Sequence, residues 1–236
     1  VKLLLFDVDQ TLISTGGAGI RALNRAFEKE FSMNNAMEGI LPHGKTDPGI
    51  VREIFNCRAM DVSSDRFPTS LASLLESYLG FLQTEIDTSS NYRILPGISP
   101  LLDSLSSRPD ILIGLATGNI EAGARIKLER GNLNRYFSFG GFGSDSEDRT
   151  ELVRRGAAKG AERAAAIQGG ALDSGEVYVI GDTPRDISAG REAGFLTVGV
   201  ATGKYSKSEL AEAGATLAIS DFQQERDQFL RITRIV

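Results

Sequence analysis

Three short runs along this chain, Leu3 to Phe6, Ile111 to Ala116 and Val177 to Ile180, are apolar at nearly every position. A strand can be apolar on both sides only when both sides are covered, as in a parallel sheet flanked by helices. Two further runs of strand length, Tyr136 to Phe142 and Leu196 to Val200, and a weaker one, Thr216 to Ile219, extend the series. Between the runs, apolar residues recur at three- and four-residue spacing over Leu101 to Leu105, Ile126 to Leu128, Leu152 to Ile167 and Ile187 to Ala193. Strand and helix thus alternate from about Pro96 onward, which predicts an α/β fold: a doubly wound parallel sheet with right-handed crossovers. Ligands of such folds lie beyond the carboxyl ends of the strands.

Residues between Ser14 and Arg93 break that rhythm and read as helices only. Ile20, Leu23, Phe27 and Phe31 share one face; "TDPGIVREIF" offers Asp47 as a cap and Pro48 for a first turn; Leu71 to Ile86 forms a third stretch. The borders "STGGAG" and "NYRILPG" are rich in residues that tolerate unusual backbone angles. The organisation expected is a helical cap, residues 15–93, inserted into an α/β core made of residues 1–14 and 94–236.

At 236 residues, 41% hydrophobic and 24% charged, the chain has the composition of a folded globular protein with a substantial core. A net charge of −5 without a run of basic residues excludes a large nucleic-acid surface. Cys57 is the single cysteine, which rules out an internal disulfide or a Cys-based zinc cluster and reads as a buried or partly buried thiol. No stretch reaches the ~18 apolar residues of a membrane span. The first apolar run is too short and too acidic at its end for a signal peptide, so the expectation is a cytoplasmic protein without membrane contacts, monomeric or homodimeric.

Chemistry concentrates at three strand ends: "FDVDQTL", "LATGN" and "VIGDTPRD". In a parallel sheet these emerge on one edge, so Asp7, Asp9, Thr117 and Asp182 converge. Two carboxylates one residue apart at the end of a buried strand require a compensating charge. Clustered carboxylates without His or Cys point to a hard cation, and to Mg²⁺ when a phosphate shares the site. Beside such an ion one Asp can attack phosphorus and form an aspartyl phosphate, while the other serves as general acid and then base. Thr117 and the amides of Gly118 and Asn119, at an expected helix start, can bind the phosphate, and Thr11 is a further candidate substrate contact.

"DVDQT", followed by "LATGN" and "GDTPRD", resembles the haloacid dehalogenase superfamily of phosphohydrolases. The helical insertion after the first motif is similar to the branch of phosphoglycolate phosphatase and β-phosphoglucomutase. The resemblance covers essentially the whole chain and implies a Rossmann-like core. It implies that Asp7 is nucleophile and metal ligand, and that Asp9 is the acid/base with its main-chain carbonyl on Mg²⁺. It further implies that Thr117 binds the transferred group, that Asp182 completes the metal shell, and that Asp186 acts through a water or from behind the metal's direct ligands.

The family also has a basic residue that holds phosphoryl group and nucleophile together. Lys127 in "ARIKLERG" is favoured, because an ammonium makes a compact charge pair. Arg149 in "SEDRTELV" competes, standing where many relatives have Lys followed by Pro. Gln10 departs from the more common Gly or Asn, which bears on the turn.

In the cap, the loop "LPHGKTD" carries His43 and Lys45, and Lys45 is a candidate substrate contact; Asp47 reads as the cap of the next helix. "STGGAG" lacks the Lys-Ser/Thr pair of a phosphate loop and "GGFGSD" lacks the dinucleotide pattern. The function expected is hydrolysis of a small phosphorylated metabolite, phosphoglycolate-like or sugar-phosphate-like. The alternative is a phosphomutase. Less favoured are a dehalogenase, which has no need of an acid at Asp9, and a phospho-accepting regulatory module, which would be shorter and lack the insertion.

Overall fold

The computed structural model describes residues 1–63, 65–168, 172 and 174–235. In chain order the elements are β1 (Lys2–Phe6), β2 (Ile13–Ser14), α1 (Ala18–Phe31), α2 (Asp47–Cys57), α3 (Phe67–Thr88), β3 (Arg93–Ile94), α4 (Ile98–Ser106), β4 (Ile111–Thr117), α5 (Glu121–Glu129), β5 (Gly140–Phe142), α6 (Arg149–Gln168), β6 (Val177–Gly181), α7 (Pro184–Glu192), β7 (Leu196–Val200), α8 (Lys207–Glu212), β8 (Leu217–Ile219) and α9 (Arg226–Ile232).

Six strands form one parallel sheet in the order β5-β4-β1-β6-β7-β8. The fully apolar β1 lies inside it, and its side chains divide by parity. Leu4 and Phe6 enter a cluster with Ile98, Leu101 and Phe229, whereas Leu3 and Leu5 enter another with Leu152, Val153 and Ala157. Helices therefore cover both faces, which is why the run shows no polar alternation.

The strand read over Tyr136 to Phe142 is shorter than expected. Residues Asn134–Tyr136 make a single 3-10 turn, closed by the Phe137 N–H on the Asn134 carbonyl, and only Gly140–Phe142 pairs with β4. Those glycines matter: a Cβ on Gly141 would lie 1.7 Å from the Leu152 carbonyl oxygen of α6. Gly141→Ala is accordingly expected to cost about 3 kcal/mol by forcing strand and helix apart, read as a lower midpoint in urea denaturation. A midpoint equal to the parent's would contradict this close approach.

The helices of residues 18–88 carry a hydrophobic cluster that includes Phe27, Ile54, Phe55, Leu74 and Leu82. Chain exit and return lie side by side, because β2 pairs antiparallel with β3. Cys57 departs from expectation: it is exposed, since the buried stripe of α2 (Ile50, Val51, Ile54, Phe55) ends two residues before it. Among the described residues no helix is long and apolar enough to cross a membrane.

Candidate active site

Strand register determines what meets at the sheet edge. Phe6 is paired with Leu115 of β4 and Ile180 of β6, so Asp7, Thr117 and Asp182 follow that shared line by one or two residues. Past Asp7 the chain folds tightly, with the Val8 carbonyl accepting from the amides of Leu12 and Ile13 at 3.0 and 3.2 Å. Gln10 adopts the left-handed region (φ 60°) that Gly or Asn would enter at lower cost. The turn is kept, anchored by the Gln10 N–H on Ile13 O at 2.7 Å.

One carboxylate oxygen from each of Asp7, Asp182 and Asp186 lies within 4.8 Å of the others, and all three residues are buried. Burial raises Asp7 to about 7; Arg149 pulls against this, Asp186 and Asp9 push with it, and the Thr117 hydroxyl donates to the carboxylate. Burial, then Asp186 and Asp7, raise Asp182 to about 9 against the pull of Arg149. Three buried carboxylates with a single guanidinium among them are short of positive charge. That shortfall and the all-oxygen donor set fit a divalent hard cation.

The cations are distributed differently from the expectation. Against the expectation that Lys127 pairs with Asp7, its buried ammonium lies 2.6 Å from Asp9 Oδ2 and also donates to Asn119 Oδ1. Arg149 pairs with Asp7 instead: Nη2 is 3.0 Å from Asp7 Oδ1, Nε is 3.0 Å from Asp186 Oδ1, and Nη1 donates to the Gly44 carbonyl of the helical cap at 3.3 Å. The cause is position. Arg149 opens α6, packed beside β4 and β5, while Lys127 reaches up from α5 on the side of Asp9. Burial works against the Lys127 charge, yet Asp9, Tyr78 and Asp47 hold it above the ordinary lysine value.

Asp9 is thus engaged by Lys127 and, at 2.8 Å, by Asn119 Nδ2, and its carboxylate is not among the clustered three. Asp186 is. Its other oxygen accepts from the Thr183 amide at 2.9 Å and hydroxyl at 2.7 Å, closing the capping box that starts α7.

Thr117 is fully buried, and its Oγ1 accepts from both nitrogens of Asn119. Gly118 precedes α5 rather than beginning it; a Cβ there would be 2.1 Å from the Lys45 carbonyl, and its own carbonyl accepts from the Asp47 amide at 2.7 Å. Thr11 does not join the site. It is fully buried beneath the loop, does not line the cleft, and its hydroxyl finds no partner among the described residues.

Lys45 lines the cleft but is paired with Glu53. Asp47 does not cap α2: Thr46 does so, accepting from the Gly49 amide at 3.2 Å, while the Asp47 carboxylate crosses to the Ile120 amide at the start of α5, 2.9 Å away. Burial raises Asp47 to about 6 against Lys127. Together with the Arg52–Glu147 pair, two bonds of 2.8 and 2.9 Å, these contacts dock the helical cap on the core.

The ceiling of the cleft comes from residues that no motif marked. Ile20, Leu23, Met37 and Tyr78 line it from the helical cap, joined by Gly17 and Gly19 of "STGGAG", whose sequence suggested only a flexible border. Gly17 does serve the backbone, preceding α1 at φ 81°. The sole hint of Ile20 and Leu23 was their place in a helical apolar stripe, which by itself says core.

A family model described as haloacid dehalogenase-like hydrolase matches residues 4–200. No curated protein sequence matches the chain at a significant level. Among solved structures, a hydrolase from Pseudomonas syringae superposes with a TM-score of 0.70 at 22% identity, covering 98% of this chain and 99% of that one. A predicted phosphatase from Clostridium acetobutylicum gives 0.71 at 18% identity, covering 98% of each chain. A protein provisionally named a β-phosphoglucomutase, from Bacteroides vulgatus, gives 0.68 at 18%, covering 99% of this chain and 90% of that one. At these identities the likeness is one of fold.

Proposed function

The chain belongs to the haloacid dehalogenase-like hydrolases, and from that premise we propose that it is a Mg²⁺-dependent phosphatase of small phosphate monoesters, working through an aspartyl phosphate on Asp7. One observation carries the reading. Two aspartates separated by a single residue are each given their own cation, Arg149 for Asp7 at 3.0 Å and Lys127 for Asp9 at 2.6 Å. Separate partners suit separate tasks.

Asp7 and Asp182 would hold Mg²⁺, with Asp186 adjoining directly or through a water and the Asp9 main-chain carbonyl as a further ligand. When bound, the ion neutralises charge on the phosphoryl oxygens and the buried carboxylates. Arg149 holds Asp7 Oδ1, which leaves Oδ2 to attack phosphorus. As the Asp7 O–P bond forms, the bond from phosphorus to the alcohol oxygen breaks, and Asp9 gives that oxygen a proton. Lys127 and Asn119 both engage Asp9 Oδ2, so Oδ1 is the oxygen left to carry the proton. In the second half Asp9 takes a proton from water as the water attacks the phosphoenzyme, releasing phosphate and restoring Asp7. Thr117 and the Gly118 amide face the transferred group.

Phosphoglycolate and a sugar phosphate belong in the panel of esters to assay. A phosphomutase would pass the phosphoryl group to a sugar hydroxyl; the apolar ceiling of the cleft supports water as the acceptor. Chelation with EDTA is expected to abolish release of inorganic phosphate, and added Mg²⁺ to restore it. Mg²⁺ is also expected to raise the melting temperature of the chelated protein, because it binds only where the three carboxylates are assembled. Undiminished turnover after chelation would sink the metal dependence.

A further inference from the structure

We infer, resting on the phosphatase reading, that the alcohol released from the ester is small, apolar and uncharged. The cavity measures about 170 Å³, close to the ~150 Å³ that encloses a benzene ring. Phosphoryl group and alcohol share that space, so the part of the alcohol held within the cleft is compact.

Away from Asp7 and Asp9 the wall includes Leu23, Met37, Ile50 and Tyr78, beside the polar Thr15, His43, Lys45 and Asp47; the first four are members of the buried cluster of the helical cap. The alcohol therefore meets the edge of a hydrophobic core. Ile20, 42% exposed, lines the mouth, and Leu41, 61% exposed, adjoins the lining residue Pro42. Only one other large apolar side chain among the described residues, Ile232, is comparably exposed. Apolar exposure is thus concentrated where an ester would enter.

Charge points the same way. The lysines and arginine lining the cleft are all engaged: Arg149 by Asp7 and Asp186, Lys127 by Asp9, and Lys45 by Glu53. A second anionic group on the substrate would find no free lysine or arginine there, only the imidazole of His43, and would face Asp9 and Asp47. An alcohol rich in hydroxyls would bury those that face Leu23, Met37 and Ile50 against carbon. Phosphoglycolate and sugar phosphates are therefore poor fits.

The test measures kcat/KM of the full chain with Mg²⁺ for butyl phosphate, 2-phosphoglycolate, glucose 6-phosphate and p-nitrophenyl phosphate. Butyl phosphate is expected to exceed phosphoglycolate and glucose 6-phosphate by about tenfold or more. Ile20→Arg, on an exposed rim that keeps the fold intact, is expected to shift the butyl-to-phosphoglycolate ratio toward phosphoglycolate by about fivefold, the scale of one exposed ion pair. A ratio unmoved by Ile20→Arg would overturn the placement of the alcohol beneath that rim. Turnover of the aryl ester with phosphoglycolate or glucose 6-phosphate ahead of butyl phosphate overturns this inference and leaves the phosphatase reading standing. No turnover of any ester, the aryl phosphate included, overturns the phosphatase reading, and this inference with it.

Discussion

Asp7→Asn is expected to lower kcat by about 10⁴-fold or more, because an amide lacks the charged oxygen that forms the bond to phosphorus. The substitution is close to isosteric, so Thr117, Asp182 and the β1 turn keep their places. It also removes a charge from a site where burial already raises Asp7 to about 7, and the metal-free variant is expected to melt no lower than the parent. Loss of turnover with retained stability separates a nucleophile from a structural carboxylate. Acid-quenched parent protein should carry the mass of one phosphoryl group on the peptide containing Asp7, and the variant should not. Equal turnover by the two proteins would refute the assignment.

The core was legible because its strands are buried on both faces: Leu3 to Phe6 can hardly be anything else. The carboxylates were legible because each follows such a run, and a parallel sheet sends every carboxyl end the same way. Which cation serves which carboxylate was not legible. Lys127 and Arg149 stand 22 positions apart on different helices, and only the docking of α5 and α6 on the sheet decides that one reaches Asp9 and the other Asp7. The same holds for Asp47, whose neighbour Thr46 competes for the cap of α2; Thr46 takes it because Asp47 finds the Ile120 amide across the domain junction. Thr11 misled for a related reason. Its spacing from Asp7 is that of a site residue, but the tight turn on the Val8 carbonyl places it under the loop. Tyr78 and Met37 carry no local signal, since a residue at the edge of a core and one in its middle look alike in a helical pattern.

Arg149→Ala is expected to be the most destabilising change at the site. It strips both Asp7 and Asp186 of their cation while the three carboxylates stay buried, and breaking a buried pair by removing one partner costs about 3–5 kcal/mol. The hydrogen bond from Nη1 to the Gly44 carbonyl is lost as well, loosening the loop that docks the helical cap. Turnover is expected to fall by about 10²–10³-fold, the effect of removing one preorganised charge beside a transition state. Arg149→Lys should be intermediate, because one ammonium on a shorter reach serves Asp7 or Asp186 but not both. Mg²⁺ distinguishes the two losses. By neutralising the cluster it should return a large part of the Arg149→Ala stability in urea denaturation, yet leave kcat low, since the ion does not hold Asp7 Oδ1 in the place the guanidinium holds it. Lys127→Ala, which touches Asp9 rather than the cluster, should show no comparable rescue. An Arg149→Ala protein whose stability deficit is the same with and without Mg²⁺ would mean that the guanidinium and the metal do not answer the same excess of negative charge.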